Sequence, residues 1–515
     1  MSIVWQKMAT KTFILTSDER AFAAEIRQIN RSNPFTTQRI AHERAALGDA
    51  FIAEKPEWNL DGPAPGFFAN VILLERKADA FVTRVAAAWP KDGGVPVAEA
   101  DLYAETVVFW LFHRYAARFD GIIQANGGAA PVNFYASFRA DAEKHLQLPG
   151  LTYLEEMPLP HLFACLFQVR RAFYHIYRSL AGRSTPIARL RAEIWQSIFT
   201  HDLDRYRHTL YARMGDFATL VTGPSGTGKE LVARAIALSR YLTFDPKRGS
   251  FAGGTDESFF PLNLAALSPT LIESELFGHR RGAFTGAVVD RLGWMETCPV
   301  HGTVFLDEIG EVDAAIQVKL LRVLQTRRFQ RLGDTAPREF GGKIIAATNR
   351  DLAAEIRTGR FREDFYYRLC SDQVVTPSLR EQVNDSPEEL PLLVGLIARR
   401  LLTDPAEAAR FAEQATAWIE KNLGAAYAWP GNFRELEQCV RNLLVRQEYR
   451  PAGPLVAAGA EDWNTLLNRG TLTAEEVLRR YTQQVYEQAG QNVEETARRL
   501  DLDRRTVKAR LTPVQ

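Results

Sequence analysis

The residues best suited to chemistry form a short run, Gly223-Pro224-Ser225-Gly226-Thr227-Gly228-Lys229-Glu230. An apolar strand-like stretch, Phe217 to Thr222, leads into it, and a helical pattern from Leu231 to Leu238 follows. Strand, glycine-rich turn and helix together make a P-loop. The glycines let backbone N–H groups converge on phosphate oxygens. The helix offers its positive N-terminal end to the same anion, and Lys229 supplies a point charge for the β- and γ-phosphates. Glu230 replaces the usual hydroxyl residue after the lysine, so Mg²⁺ must rely on other ligands and water. Downstream, Gly302-Thr-Val-Phe-Leu-Asp307-Glu308 is a buried-strand pattern ending in two carboxylates. In that context Asp307 positions the Mg²⁺ of ATP, and Glu308 orients and deprotonates the attacking water. A third strand pattern, Lys343 to Thr348, ends at Asn349, where polar groups can sense the γ-phosphate. Arg362 and Arg368 then lie six apart on a helix-like stretch. Arginines there can stabilise the charge of phosphoryl transfer, supplied from a neighbouring subunit.

These residues must be positioned by an α/β fold. Between residues 184 and about 448 short apolar strands alternate with helices, as in an open parallel sheet. Residues 1–183 show amphipathic helical patterns, among them Val97–Ala117 and Leu159–Leu180, but no chemical motif. Trp5, Trp58, Trp89 and Trp110, with Phe67, Phe68 and Phe81, read there as core. Gly93-Gly94 and Gly127-Gly128 interrupt the pattern. Pro451, Gly453, Pro454 and Gly459 mark a linker over 449–470, and residues 471–515 are helical with a basic end.

A chain of 515 residues is too long for one core. Its net charge of +1 favours no class of partner, so a nucleic-acid surface must be a local patch. Cys165, Cys298, Cys370 and Cys439 have neither disulfide nor zinc spacing, which fits a reducing cytoplasm. The N-terminus lacks a signal-peptide pattern. The longest apolar stretch, near Thr106–Phe112, is far short of the roughly 20 residues that span a bilayer. A soluble, cytoplasmic protein without membrane contact is the expectation.

Near the C-terminus, Ala489 to Leu511 reads as helix, turn, helix. Ala497, Leu500, Leu502, Val507 and Leu511 supply the packing face, and Asp503 is an N-cap for the second helix. Arg504, Arg505, Lys508 and Arg510 give that helix four cations and no acid. With Thr506 they are candidate DNA contacts.

Ser274-Glu-Leu-Phe-Gly-His279 followed by Gly282-Ala283-Phe284-Thr285-Gly286-Ala287 resembles the signature of sigma-54-dependent transcriptional activators, also called bacterial enhancer-binding proteins. The resemblance runs from roughly Ser184 to Glu448. It implies an AAA+ P-loop ATPase core over 184–380 and a helical lid over 381–448. It further implies that the Gly282–Ala287 loop touches sigma-54. Asn263 resembles the switch asparagine that holds Glu308 away from water, Thr348 and Asn349 the first sensor, and Arg362 and Arg368 the trans-acting arginines. Arg434, in Trp429-Pro-Gly-Asn-Phe-Arg434, resembles the second sensor, and Glu230 is the family's usual residue at its position. The C-terminal segment is similar to a Fis-type helix-turn-helix, departing at Asp501, where glycine is common, and at Thr496, where alanine is common. The implied activity is ATP-driven remodelling of the sigma-54 RNA polymerase closed complex. The implied partners are that holoenzyme, double-stranded DNA upstream of promoters and a homo-oligomeric ring of six or seven subunits. An AAA+ remodeller outside transcription, with C-terminal helices that only oligomerise, is the alternative. Residues 1–183 are expected to be a mostly helical regulatory domain, coupled to the motor through Leu159–Leu180. The stretches Thr200–Asp216 and Tyr241–Phe260 look longer than the family's, and the first of them is expected to supply part of the adenine pocket.

Overall fold

The computed structural model describes residues 14–53, 69–92, 94–125, 131–253, 258–424, 426–451 and 473–511. Trp5, Trp58, Phe67, Phe68, Gly93, the glycine pair 127–128 and most of the 449–470 linker lie outside them. The chain divides into two compact units, Met1–Thr416 with Trp429–Tyr449, and Ala417–Ala428 with Arg450–Gln515.

The centre of the first unit is a parallel sheet. Its strands are β1 (Thr219–Thr222), β2 (Phe259–Asn263), β3 (Thr303–Asp307), β4 (Lys343–Thr348) and β5 (Asp372–Val375), in the order β5-β1-β4-β3-β2. All four pairings are parallel. Central parallel strands are covered on both faces and read as unbroken apolar runs. β4 obeys this, with every residue buried. The pleat sends alternate residues to opposite faces. Val304, Leu306, Ile344 and Ala346 pack on the helices Pro269–Phe277 and Ala314–Thr326. Phe305, Ile345 and Ala347 pack instead on the P-loop helix (Lys229–Ala237) and on helices from earlier in the chain.

The helices earlier in the chain include α1 (Ser17–Arg31), α2 (Thr37–Leu47), α3 (Ala69–Ala87), α4 (Val97–Gln124), α5 (Tyr135–Leu146), α6 (Leu159–Ser179) and α7 (Thr185–Phe199), of which α6 and α7 share the sheet core. α4 runs seven residues past the expected end at Ala117 and is apolar nearly all round, as a helix must be when neighbours surround it. Trp89, Trp110 and Phe81 are buried in the core it organises. α6 serves two cores. Phe163 and Phe167 enter the N-terminal core, while Ile176 and Leu180 join the sheet core beside Ile194 and Ile198 of α7.

The long Tyr241–Phe260 stretch has a structural use. Its strands Phe244–Asp245 and Ser250–Phe251 form a hairpin that inserts two rings among the N-terminal helices. Phe251 stacks on Phe167 with centroids 4.1 Å apart, and Phe244 meets Tyr135 at 4.5 Å. The Val132 N–H donates to the Gly249 carbonyl at 2.6 Å.

In the second unit, Ala474–Gln488, Val493–Leu500 and Arg504–Leu511 are helices that pack pairwise. Val507 is fully buried and Ala497 nearly so. Asp501 holds the turn at φ 51°, a left-handed conformation that explains why glycine is common there. The Thr496 hydroxyl is buried but satisfied, donating to the Asn492 carbonyl at 2.7 Å.

Candidate nucleotide site

β1 delivers the P-loop and β3 delivers the two carboxylates, so both arrive at the C-terminal edge of one sheet. Gly226 has φ 77°, and a Cβ there would stand 2.3 Å from the Gly431 carbonyl oxygen. Only glycine lets the loop lie this close to the lid. The lid in turn holds the loop. Asn432, itself left-handed at φ 51°, donates from Nδ2 to the Ser225 carbonyl at 2.9 Å and accepts from the Leu379 N–H at 2.8 Å. Arg434 Nη1 lies 3.4 Å from Ser225 Oγ.

Lys229 Nζ donates to the Gly223 and Pro224 carbonyls at 3.1 and 3.0 Å. Burial lowers its pKa, while the charges of Glu308 and Asp307 work the other way. The Glu308 backbone is left-handed at φ 57°, and its Oε2 is buried without a hydrogen-bond partner among the described residues. Strain on a non-glycine residue of about 1–3 kcal/mol persists only where the surroundings enforce it, and such residues cluster at functional sites. Asn263 sits opposite Asp307 in the β2–β3 register. Its carboxamide oxygen accepts from the Ala265 N–H at 3.0 Å, and no hydrogen bond joins it to Glu308. Thr348 is buried, with Oγ1 accepting from the Arg350 N–H at 3.1 Å, and Asn349 is exposed.

Ser225 to Leu231, Asp307, Glu308 and Arg434 line one cleft of about 610 Å³. The structure thus assembles the P-loop, the acidic pair and the lid arginine around a single space. Leu180 and Ile187, with Leu393, Leu396 and Ile397 of the lid, add apolar wall to this cleft, alongside Arg400, Glu437 and Arg441. None of the residues that line it comes from Thr200–Asp216. That stretch turns beneath the sheet, where the Phe217 carbonyl accepts from Lys343 Nζ at 2.7 Å and Tyr206, Tyr211 and Met214 line a separate cavity. Sequence reasoning missed both the apolar wall and Asn432. Leucines are too common to stand out, and only the Trp-Pro-Gly-Asn run flags the asparagine.

The site suits a nucleoside triphosphate. A cradle that admits no Cβ, a helix N-terminus, a lysine held only by carbonyls and an orphaned carboxylate oxygen all face the same cleft. Among the described residues no cluster of three or more His, Cys, Asp or Glu could hold a metal by itself. One carboxylate, completed by phosphates and water, is the usual arrangement for Mg²⁺, and Asp307 fits it.

Arg362 and Arg368 do not line this cleft. Both are exposed, and Arg362 makes a two-pronged ion pair with Asp364 at 3.0 and 2.7 Å. The Gly282–Ala287 loop also lies apart from it. The Gly282 N–H donates to the Ala287 carbonyl at 2.8 Å, closing the loop on itself. Phe284 leans on His279 with centroids 5.0 Å apart, while Thr285, Val288 and Val289 are exposed.

Residues 203–375 match the family model of the sigma-54 interaction domain. This segment belongs to that family. Domains of that family are of the AAA+ ATPase type, with which the parallel sheet and P-loop agree. The chain is 45% identical over 232 residues to the Nif-specific regulatory protein of Azotobacter vinelandii, covering 44% of this chain and 40% of that one. It is 40% identical over 296 residues to the transcriptional regulatory protein ZraR of Escherichia coli K12, covering 57% and 62%. It thus spans less than two thirds of either relative's length. A crystal structure of NtrX from Brucella abortus aligns with 25% identity and a TM-score of 0.39, covering 68% of this chain and 73% of that one. Among the described residues no helix is long and apolar enough to cross a membrane.

Proposed function

We propose that this protein is a sigma-54-dependent transcriptional activator that uses ATP hydrolysis to remodel the closed RNA polymerase complex. The observation that carries the reading is the Gly282–Ala287 loop, with Thr285 exposed, in the same domain as a cleft that gathers the P-loop and the acidic pair. The P-loop amides and Lys229 bind and orient the triphosphate, and the apolar wall of the cleft takes the adenine. Asp307 holds Mg²⁺, which when bound neutralises charge on the phosphates. Glu308 draws the proton from the attacking water, and its unpaired oxygen leaves it free to do so. Asn263, one strand away, is placed to restrain that carboxylate, and Thr348 with Asn349 to register the γ-phosphate.

Because Arg362 and Arg368 do not line their own subunit's cleft, they would act in a neighbour's, which favours a ring. The Arg362–Asp364 pair must then open, a small cost for an exposed pair. In the C-terminal unit, Arg504, Arg505 and Lys508 are exposed beside a buried Val507, as a recognition helix requires. The Thr506 hydroxyl is held by Asp503 at 2.6 Å, so it would position the helix more than read bases.

Open-complex formation by sigma-54 RNA polymerase tests this reading. Wild type should open the promoter with ATP, and Thr285→Ala should hydrolyse ATP at a normal rate yet open none. If wild type hydrolyses ATP but never opens the promoter, the AAA+ core serves a remodeller outside transcription.

A further inference from the structure

Gln317 is polar, completely enclosed and no part of the nucleotide cleft. It sits on the helix Ala314–Thr326, whose Ile316 and Leu320 pack in the sheet core. Its carboxamide is fully used. Nε2 donates to the Val312 and Arg360 carbonyls, each at 3.0 Å, and Oε1 accepts from the Arg362 N–H at 2.8 Å. A carboxamide carries two N–H donors and an acceptor oxygen, which matches this set of partners. An ionised glutamate would present only acceptors to the two carbonyls, and a methionine would leave all three backbone groups bare. Burial keeps bulk water from replacing the lost bonds, so the residue type is constrained as tightly as its place.

The three backbone groups belong to two segments with different tasks. Val312 ends the turn Ile309–Glu311 that follows Glu308, and the Glu311 N–H donates back to the Glu308 carbonyl at 3.0 Å. Arg360 and Arg362 flank Phe361, just before the helix Glu363–Leu369 that carries Arg368. Phe361 and Phe365 are buried in the sheet core with ring centroids 5.3 Å apart, which sets how deep this segment lies. Rotation about that pair of rings is still open to it. The carboxamide grips the backbone on both sides of Phe361, closes that freedom, and so sets the direction in which Arg362 leaves the surface. An outer tie joins the same two segments through Glu311–Arg350 at 2.5 Å, Arg350–Glu355 at 3.7 Å and Glu355–Arg360 at 2.6 Å. Solvent-facing ion pairs contribute little each, so the enclosed carboxamide is the stiff member.

We propose that Gln317 is a positioning residue that aims Arg362 at the nucleotide of the neighbouring subunit, an inference that rests on the trans-acting role of Arg362 proposed above. Gln317 grips backbone alone, so the guanidinium keeps its freedom to leave Asp364 while its point of departure stays fixed. A group misplaced by about 1 Å costs on the order of 10²-fold in rate. Removing such an arginine altogether costs about 10³- to 10⁵-fold.

ATPase rates of co-assembled full-length variants test this. Gln317→Met should lower kcat about 100-fold and leave ATP affinity within about twofold, because the variant's own cleft is intact. Glu308→Gln subunits lack the base but carry well-aimed arginines. Co-assembled in equal amounts with Gln317→Met, they should raise the rate at least about 10-fold over either parent, since each well-aimed arginine restores about 100-fold to the site it reaches. A defect confined to the variant's own subunit would not be relieved by a neighbour. Arg362→Ala co-assembled with Glu308→Gln is the control and should recover likewise. If the control recovers and Gln317→Met does not, Gln317 serves its own cleft and the proposal falls alone. If the control fails, the trans-acting reading of Arg362 falls and takes the proposal with it. An unchanged kcat, or ATP affinity weakened as far as the rate, also overturns it. Should Gln317→Met not fold, Gln317→Asn, whose amide stops one methylene short of the same partners, takes its place with the same expectations.

Discussion

At its N-terminal end the P-loop helix meets a space: glycine amides, the Lys229 ammonium and the strained Glu308 surround a cleft of about 610 Å³. At its C-terminal end the same helix meets the fold. Arg171 of α6, almost wholly buried, donates to the Leu238 carbonyl and, at 3.2 Å, to the Arg240 carbonyl. Gln168, one residue-triplet earlier, donates to the Ser239 carbonyl at 3.0 Å. Both ends carry unsatisfied backbone groups and half-charges of opposite sign. One end keeps its donors for an anion. The other is closed by a cation from a helix some distance back in the chain. Catalytic and structural roles are thus separated along nine residues, and α6 is tied to this helix at the end that does no chemistry.

Glu308→Gln should produce the largest effect and confine it to one end. Loss of a general base costs roughly 10²- to 10⁴-fold in rate, so phosphate release should fall at least 100-fold. The melting temperature should stay within about 2 °C, because Oε2 has no partner to lose. A large fall in melting temperature would show that the catalytic end also bears on stability.

Arg171→Met tests the opposite end. Burial lowers the arginine's pKa to about 9, with no carboxylate among its partners, so charging it has a real cost. Replacing buried ions by apolar groups is often neutral for that reason. Here the loss outweighs the gain, because two helix-end carbonyls are left bare, and charge-assisted hydrogen bonds contribute about 1.5–3 kcal/mol each. Urea unfolding should show about 2–3 kcal/mol less stability. An unchanged midpoint would mean that the carbonyls find other donors and the staple is ornamental.

Reading the residues alone recovers the catalytic end far better than the stapled end, for a physical reason. Phosphate chemistry demands particular side chains at adjacent positions, so Gly223 to Glu230 and Asp307-Glu308 announce themselves, and the three central strands follow from apolar runs, whereas the edge strands Phe259–Asn263 and Asp372–Val375 are mixed in polarity and give no such signal. The staple joins residues far apart in sequence, and Arg171 looks like any cation on an amphipathic helix. Likewise Phe244 and Phe251 reveal an unusually long stretch but not the core they enter. The left-handed backbone of Glu308 leaves no trace in its residue type. Neither does the apolar wall of the cleft, where Leu180 and Ile397 do work that any leucine-rich helix could do.

Gln168→Leu should give the smallest effect and sharpen the comparison most. The carboxamide bridges two partners, donating to the Ser239 carbonyl and accepting from the Tyr206 hydroxyl at 2.8 Å. Leucine fits the volume but satisfies neither. The Ser239 carbonyl sits at the helix end, and the Tyr206 hydroxyl is fully enclosed, so each loses a bond worth about 0.5–1.5 kcal/mol. A neutral bond to a helix-end carbonyl contributes less than a charged one, so the total should be about 1–2 kcal/mol, below that of Arg171→Met. If the double variant loses about the sum of the two single losses, the residues act as independent caps. If it loses clearly less, α6 and the P-loop helix separate as one unit once either tie is cut, as expected where two bonds close a single helix end.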